Sequence, residues 1–178
     1  LFKPISEMAF EQARKKANPY ESIGKAIFMN RAAVKIANID FLYNLTNTNE
    51  FDKPSSSDVS QKDMFYFADI CAGPGGFTDY MYWRLDKRAR GFGMTLRDQN
   101  IDKAGHDWAS FENFYRTDLI RSFQISYGED ETGSIYSLNN IMFFRQLIQE
   151  KTNGEMVSLV TGDGGIAVDG EENDQERL

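Results

Sequence analysis

The 178-residue chain has a single cysteine, a single histidine and four prolines, and no apolar run approaching the ~20 residues that cross a bilayer. Cys71 cannot close an internal disulfide and lies inside a glycine-rich turn, so it reads as a small buried residue of a reducing compartment. With His106 the sole imidazole, a histidine-built metal site is not expected. Positive charge is also short: 20 Lys and Arg face 27 Asp and Glu, a net charge of −7. This argues against broad electrostatic attraction to nucleic acid, so any RNA contact must be local. Two basic clusters remain, Arg14–Lys15–Lys16 and Lys87–Arg88–Arg90, for which solvated surface is the plain alternative. The opening LFKPISEMAF lacks the charged-then-apolar order of a signal peptide, so a soluble intracellular protein is expected. The start at Leu1 and the acidic end EENDQERL read as those of a piece of a longer protein.

At 41% hydrophobic and 13% aromatic residues, the chain is rich enough for one packed core. Its organising stretch is Met64–Thr78, MFYFADICAGPGGFT. Met64 to Ile70 form the near-continuous apolar run of a strand buried on both faces. Gly73, Gly75 and Gly76 permit a tight turn with close backbone approach to a ligand, and Phe77 onward reads as a helix whose first amides point back at that turn. By itself such a turn is equally compatible with a ligand-free strand-to-helix connection. It does not match the dinucleotide fingerprint, because the sixth place counted from Gly73 is Thr78.

Ser6 opens a capped helix that ends before Pro19. A second helix is expected from near Ser22 through ESIGKAIFMNRAAVKIANIDFLYNL, with Asn30 and Lys35 as polar residues in an alanine-rich surface, about 140° apart around it. Residues 46–62 read as a polar loop. Later strands are expected at Arg90–Leu96, at Phe111–Tyr115 and at Met156–Val160, with a helix over Leu138–Ile148 closed by Gly154. No acid grips a ribose at the end of RGFGMTL before Asp98, which counts against a nicotinamide-dependent oxidoreductase. The alternation of elements predicts a doubly wound, mostly parallel, Rossmann-like α/β sheet. The Gly73 turn and Asp163 of TGDGG would then open onto one crevice at the carboxyl ends of the strands. For TGDGG a plain strand-end turn is the competing reading.

In order, NRAAVKIANID, DICAGPGGFTDYMYWR, GFGMTL and GDGG followed by DGEENDQ resemble the ribose 2′-O-methyltransferases of the FtsJ/RrmJ superfamily, from about Phe2 onward. Within it they are most similar to the branch that methylates the first transcribed nucleotide of capped mRNA, forming cap 1. The resemblance implies a nuclear enzyme that uses S-adenosylmethionine and no metal. It implies Lys35 and Asp163 as catalytic residues, two members of a Lys-Asp-Lys-Glu tetrad whose second lysine and glutamate are expected beyond Leu178. It further implies that Asn30 and the turn Cys71, Ala72, Gly73, Pro74, Gly75, Gly76 and Phe77 line the cofactor. Ser134 and Ile135 would sit at its adenosine end, where the family has an acid before the isoleucine. Arg14, Asn173, Asp174 and Gln175 fall at capped-RNA contacts. On this basis residues 1–178 form one domain or its N-terminal part: helices over 1–45, a loop over 46–62 and a cofactor-binding α/β core over 63–178. Methyl transfer from a sulfonium needs an in-line oxygen nucleophile and help in removing its proton. The resemblance gives that task to the second lysine, which Lys35 and Asp163 would hold and tune. The alternative reading is a catalytically inert module that binds capped RNA or a protein partner.

Overall fold

The computed structural model describes residues 6–18, 27–47, 63–97 and 122–164. They form α1 (Glu7–Ala17), α2 (Ala32–Tyr43), β1 (Phe65–Ile70), α3 (Gly76–Leu85), one 3-10 turn (Asp86–Arg88), β2 (Ala89–Met94), β3 (Phe123–Ser126), α4 (Leu138–Lys151) and β4 (Leu159–Gly162). The strands make one sheet in the order β3-β2-β1-β4, and each neighbouring pair is parallel. This is the expected Rossmann-like α/β architecture, with β1 in the interior of the sheet.

The two faces of the sheet carry two cores. On one face Phe65 and Phe67 of β1 join Ala89 and Phe123 and pack beneath α3, with Ala33 and Ile36 of α2 in the same cluster. On the other face Tyr66, Ala68 and Ile70 join Phe92 and Met94 under Phe144 and Ile148 of α4. Burial on both faces is why β1 is apolar at every position but Asp69 rather than alternating. Helix α3 is enclosed as well: of its ten residues only Trp83 is exposed and only Arg84 is half-buried.

Gly91 of β2 shows how tightly the α3-side core closes. A Cβ there would lie 2.5 Å from the Phe123 ring and 2.6 Å from that of Phe67. Gly91→Ala is therefore expected to cost about 1–3 kcal/mol through forced overpacking. Denaturant melts of the two proteins check this; an unchanged midpoint would show that the rings move aside freely.

Several boundaries differ from the sequence expectation. The second helix starts at Ala32, and the described residues before it, 27–31, are bends and a turn. The cause is a pair of side-chain acceptors that divert the backbone. Asp79 accepts from the Met29 amide at 2.7 Å, and Asn30 Oδ1 accepts from the Ala32 amide at 2.9 Å. Asn30 thus precedes the helix that carries Lys35, and the 140° relation does not apply. The strand expected at Phe111–Tyr115 falls outside the described residues, and β3 is the unanticipated segment Phe123–Ser126. The last strand begins at Leu159, three residues later than Met156. Met156 has φ +66° and its amide donates to the Thr152 hydroxyl at 2.9 Å, so it belongs to the turn leaving α4. Gly154 closes α4 as expected, with φ +87° and its amide bonded to the Gln149 carbonyl.

Candidate functional site

The carboxyl ends of β1, β2 and β4 converge on the glycine turn. Leaving β1, Cys71 takes a left-handed backbone with φ +57°, and the Ala72 amide crosses to the Met94 carbonyl at the end of β2. Gly75, with φ +110°, then launches α3, a conformation that favours glycine. On the β4 side, a Cβ at Gly164 would meet Cys71 Sγ at 3.0 Å, so the TGDGG turn lies directly against the elbow. Burial raises the Cys71 thiol above its ordinary pKa, with a smaller push from Asp69.

At this junction Lys35 Nζ and Asp163 Oδ2 are 2.6 Å apart, joining α2 to the end of β4 across 128 residues of sequence. Both side chains are partly open, 56% and 40% exposed. The charged pair is therefore presented to solvent at the carboxyl ends of the strands rather than buried as a structural strut.

The other expected cofactor residues fall as follows. Asn30 meets the elbow: a Cβ on Gly76 would come within 2.2 Å of its Oδ1, so this amide closes over the start of α3. Gly73 and Pro74 are half-buried, joined by a cis peptide, and Gly75 and Gly76 are buried. The Phe77 ring sits in the α3-side core, so its contribution to the turn is its backbone. Ser134 is half-buried and Ile135 exposed, on the loop that follows β3. Of Arg14 only the backbone in α1 is described, and Asn173, Asp174 and Gln175 lie outside the described residues. Among the described residues no group of three or more His, Cys, Asp or Glu could hold a metal, and no helix is long and apolar enough to cross a membrane.

Three carboxylates carry structure that the sequence reading did not assign. Asp69 of β1 is 1% exposed and accepts from the Thr78 hydroxyl of α3 at 2.8 Å and the Thr161 hydroxyl of β4 at 2.9 Å. Burial dominates these hydrogen bonds and lifts its pKa to about 6. Asp40 of α2 accepts from Thr46 and from the Tyr80 hydroxyl at 2.6 Å, and Arg84 Nε lies 3.5 Å from it. Asp79 holds the Met29 amide, as above. An acid inside an apolar strand or in a helix's first turn was the available signal. The partners of the three, 6 to 92 residues away, were not readable.

A central parallel strand, a glycine elbow and an exposed lysine–aspartate pair at the strands' carboxyl ends define a Rossmann-like α/β domain, a class that binds ligands at that end of its sheet. The sequence pattern described as FtsJ-like methyltransferase matches residues 28–178, and the chain belongs to that family. It is 42% identical to a mouse protein named cap-specific mRNA (nucleoside-2′-O-)-methyltransferase 1, over 100% of this chain and 21% of that protein. The protein of that name from Dictyostelium discoideum is 42% identical over 95% of this chain and 23% of its own length. A Caenorhabditis briggsae relative named inactive cap-specific mRNA (nucleoside-2′-O-)-methyltransferase 1B is 39% identical over 100% of this chain and 22% of its own. The chain thus spans about a fifth of the length of the curated relatives it matches.

Proposed function

We propose that this chain takes part in S-adenosylmethionine-dependent 2′-O-methylation of the first transcribed nucleotide of capped mRNA, acting in the nucleus. The observation that carries the reading is the Lys35–Asp163 pair at 2.6 Å beside the glycine elbow. The residues present suit the cofactor. A helix start such as that of α3 favours an anionic group, and the glycines of the elbow let a ligand approach the main chain closely. When bound, S-adenosylmethionine supplies an electrophilic methyl group on a sulfonium. The chain's own part is electrostatic and orienting. Lys35, held by Asp163, places a positive charge where a ribose hydroxyl would develop negative charge as its proton leaves. Asn30 braces the elbow, and Arg14 with Asn173, Asp174 and Gln175 is assigned to the capped RNA.

Identity alone does not separate an active from an inert protein, since a relative named inactive is 39% identical. The inert capped-RNA-binding module is therefore kept as the second reading. The test uses the protein as its gene encodes it, titrated with S-adenosylmethionine and with NAD, then assayed for methyl incorporation into capped and uncapped RNA. Binding of S-adenosylmethionine with transfer confined to capped RNA is expected. Preference for NAD would overturn the reading, and cofactor binding without any transfer would favour the inert module.

A further inference from the structure

Helix α4 sends one fully buried polar side chain back into the loop that precedes it. Asn140 is 0% exposed, in a helix whose neighbouring residues Asn139 and Ile141 are exposed. Its Oδ1 accepts from the Asp130 amide at 3.1 Å, while its Nδ2 donates to Asp130 Oδ1 at 2.9 Å, to the Thr132 hydroxyl at 3.3 Å and to the Ser134 carbonyl at 3.1 Å. A buried amide satisfied at both ends by one loop specifies that loop's conformation, because any other arrangement strands its polar atoms. Glycines make room for the arrangement. A Cβ on Gly128 would stand 2.3 Å from Asn140 Cγ, and one on Gly133 would stand 1.7 Å from the Thr95 carbonyl oxygen, both glycines having positive φ. The loop is also pinned to the end of β2: the Arg97 amide donates to the Thr132 carbonyl, and the Arg97 guanidinium pairs with Glu131 and covers the Tyr127 ring. The Ala72 amide binds Met94, so the glycine elbow and this loop flank the same few residues, Met94–Arg97, from opposite sides.

We propose that Asn140 is a positioning residue for cofactor binding: it locks the 130–134 turn against the end of β2 and so sets where Ser134 and Ile135 stand at the crevice. This rests on the S-adenosylmethionine reading given above. Ser134 has little freedom of its own, its amide donating to the Thr132 hydroxyl and its hydroxyl accepting from the Tyr136 amide. Its placement is thus inherited from the turn that Asn140 holds.

The test is calorimetric titration of the full chain with S-adenosylhomocysteine, with melting temperature and amide exchange of residues 130–134 followed in parallel. Asn140→Asp keeps the acceptor but loses both Nδ2 protons and faces Asp130 with like charge. It is expected to weaken binding about tenfold and speed exchange in the turn. Adding Asp130→Asn restores a donor opposite the new carboxylate and is expected to recover part of that loss, which a merely destabilising substitution would not show. Thr132→Val, at an exposed position, is a second probe that leaves the core intact; a loss of about threefold is expected. Wild-type binding with unchanged affinity in folded Asn140→Asp, or in Thr132→Val should the first variant not fold, overturns this inference alone. Absence of wild-type binding overturns the proposed function and this inference with it.

Discussion

Replacing Lys35 by methionine is expected, on the reaction proposed above, to lower methyl transfer to capped RNA by about 10²–10³-fold, the range typical of a lost group that stabilises developing negative charge. The fold should barely notice. Lys35 and Asp163 are 56% and 40% exposed, and pairs of this kind contribute about 0–1 kcal/mol after solvent screening and side-chain ordering. A melting temperature within a few degrees of wild type is therefore expected, using the ~2–4 °C per kcal/mol of a chain this size. Asp163→Asn should behave alike, since either change breaks the 2.6 Å contact. Because the two groups act as a unit, the double variant should be little worse than the more damaging single one. Losses that multiply would mean that the residues act separately. Transfer within tenfold of wild type in Lys35→Met would remove the pair from the reaction altogether.

The second large effect concerns stability and comes from Asp69. Its folded-state pKa of about 6 exceeds the ordinary 3.8 because burial penalises the anion more than the Thr78 and Thr161 hydrogen bonds favour it. The folded chain thus holds this proton more tightly than the unfolded chain does. The resulting stabilisation is fully present below about pH 4 and is lost as pH rises through 6, a swing on the order of 3 kcal/mol. Asp69→Asn can keep an acceptor towards Thr78 while its amide donates to Thr161, whose hydroxyl can turn to the Ala68 carbonyl 3.4 Å away. That variant should lose the pH 4–6 component and match or exceed wild-type stability at pH 7.5. Asp69→Ala, by contrast, leaves the buried Thr78 hydroxyl without its acceptor, leaves Thr161 only the 3.4 Å contact to the Ala68 carbonyl and opens a cavity, costing about 2–5 kcal/mol. Denaturant midpoints taken from pH 4 to 8 measure both. The informative quantity is the difference between wild type and Asp69→Asn, since the exposed acids are common to the two. A flat difference curve would show that folding leaves the Asp69 pKa at its ordinary value.

How far the sequence could be read follows from the range over which each feature is built. The strand Phe65–Ile70, the Gly73–Gly76 elbow and the helix after it were legible because each depends on contiguous residues. A strand buried on both faces is apolar nearly throughout, Asp69 being the exception here, and a turn needing φ +110° calls for glycine. The helix Leu138–Lys151 was legible by its spacing and by Gly154. The parallel α/β class followed from the alternation of such elements. The four-residue strand Phe123–Ser126 is too short to carry a period, and it is a strand because β2 supplies its partner. The start of α2 was misplaced because apolar spacing continues through Ile27–Met29, while acceptors on Asp79 and Asn30 divert the backbone there.

At the site the division is sharper. Lys35 and Asp163 could be nominated as residue types beside the right motifs, and a family resemblance set them in one order. Their approach to 2.6 Å is a product of sheet order, which brings β4 alongside β1, and of the packing of α2 into the core shared with α3. The same holds for Asp69 with its threonines from two other elements and for Asn140 with its loop. A lone polar residue in an apolar strand or an ordinary helix announces neither its burial nor its partners. Sequence by itself determined the elements whose forces act between near neighbours. Only the tertiary structure decided which distant polar groups would share a desolvated contact, because that choice is made when the strands align and the helices cover them.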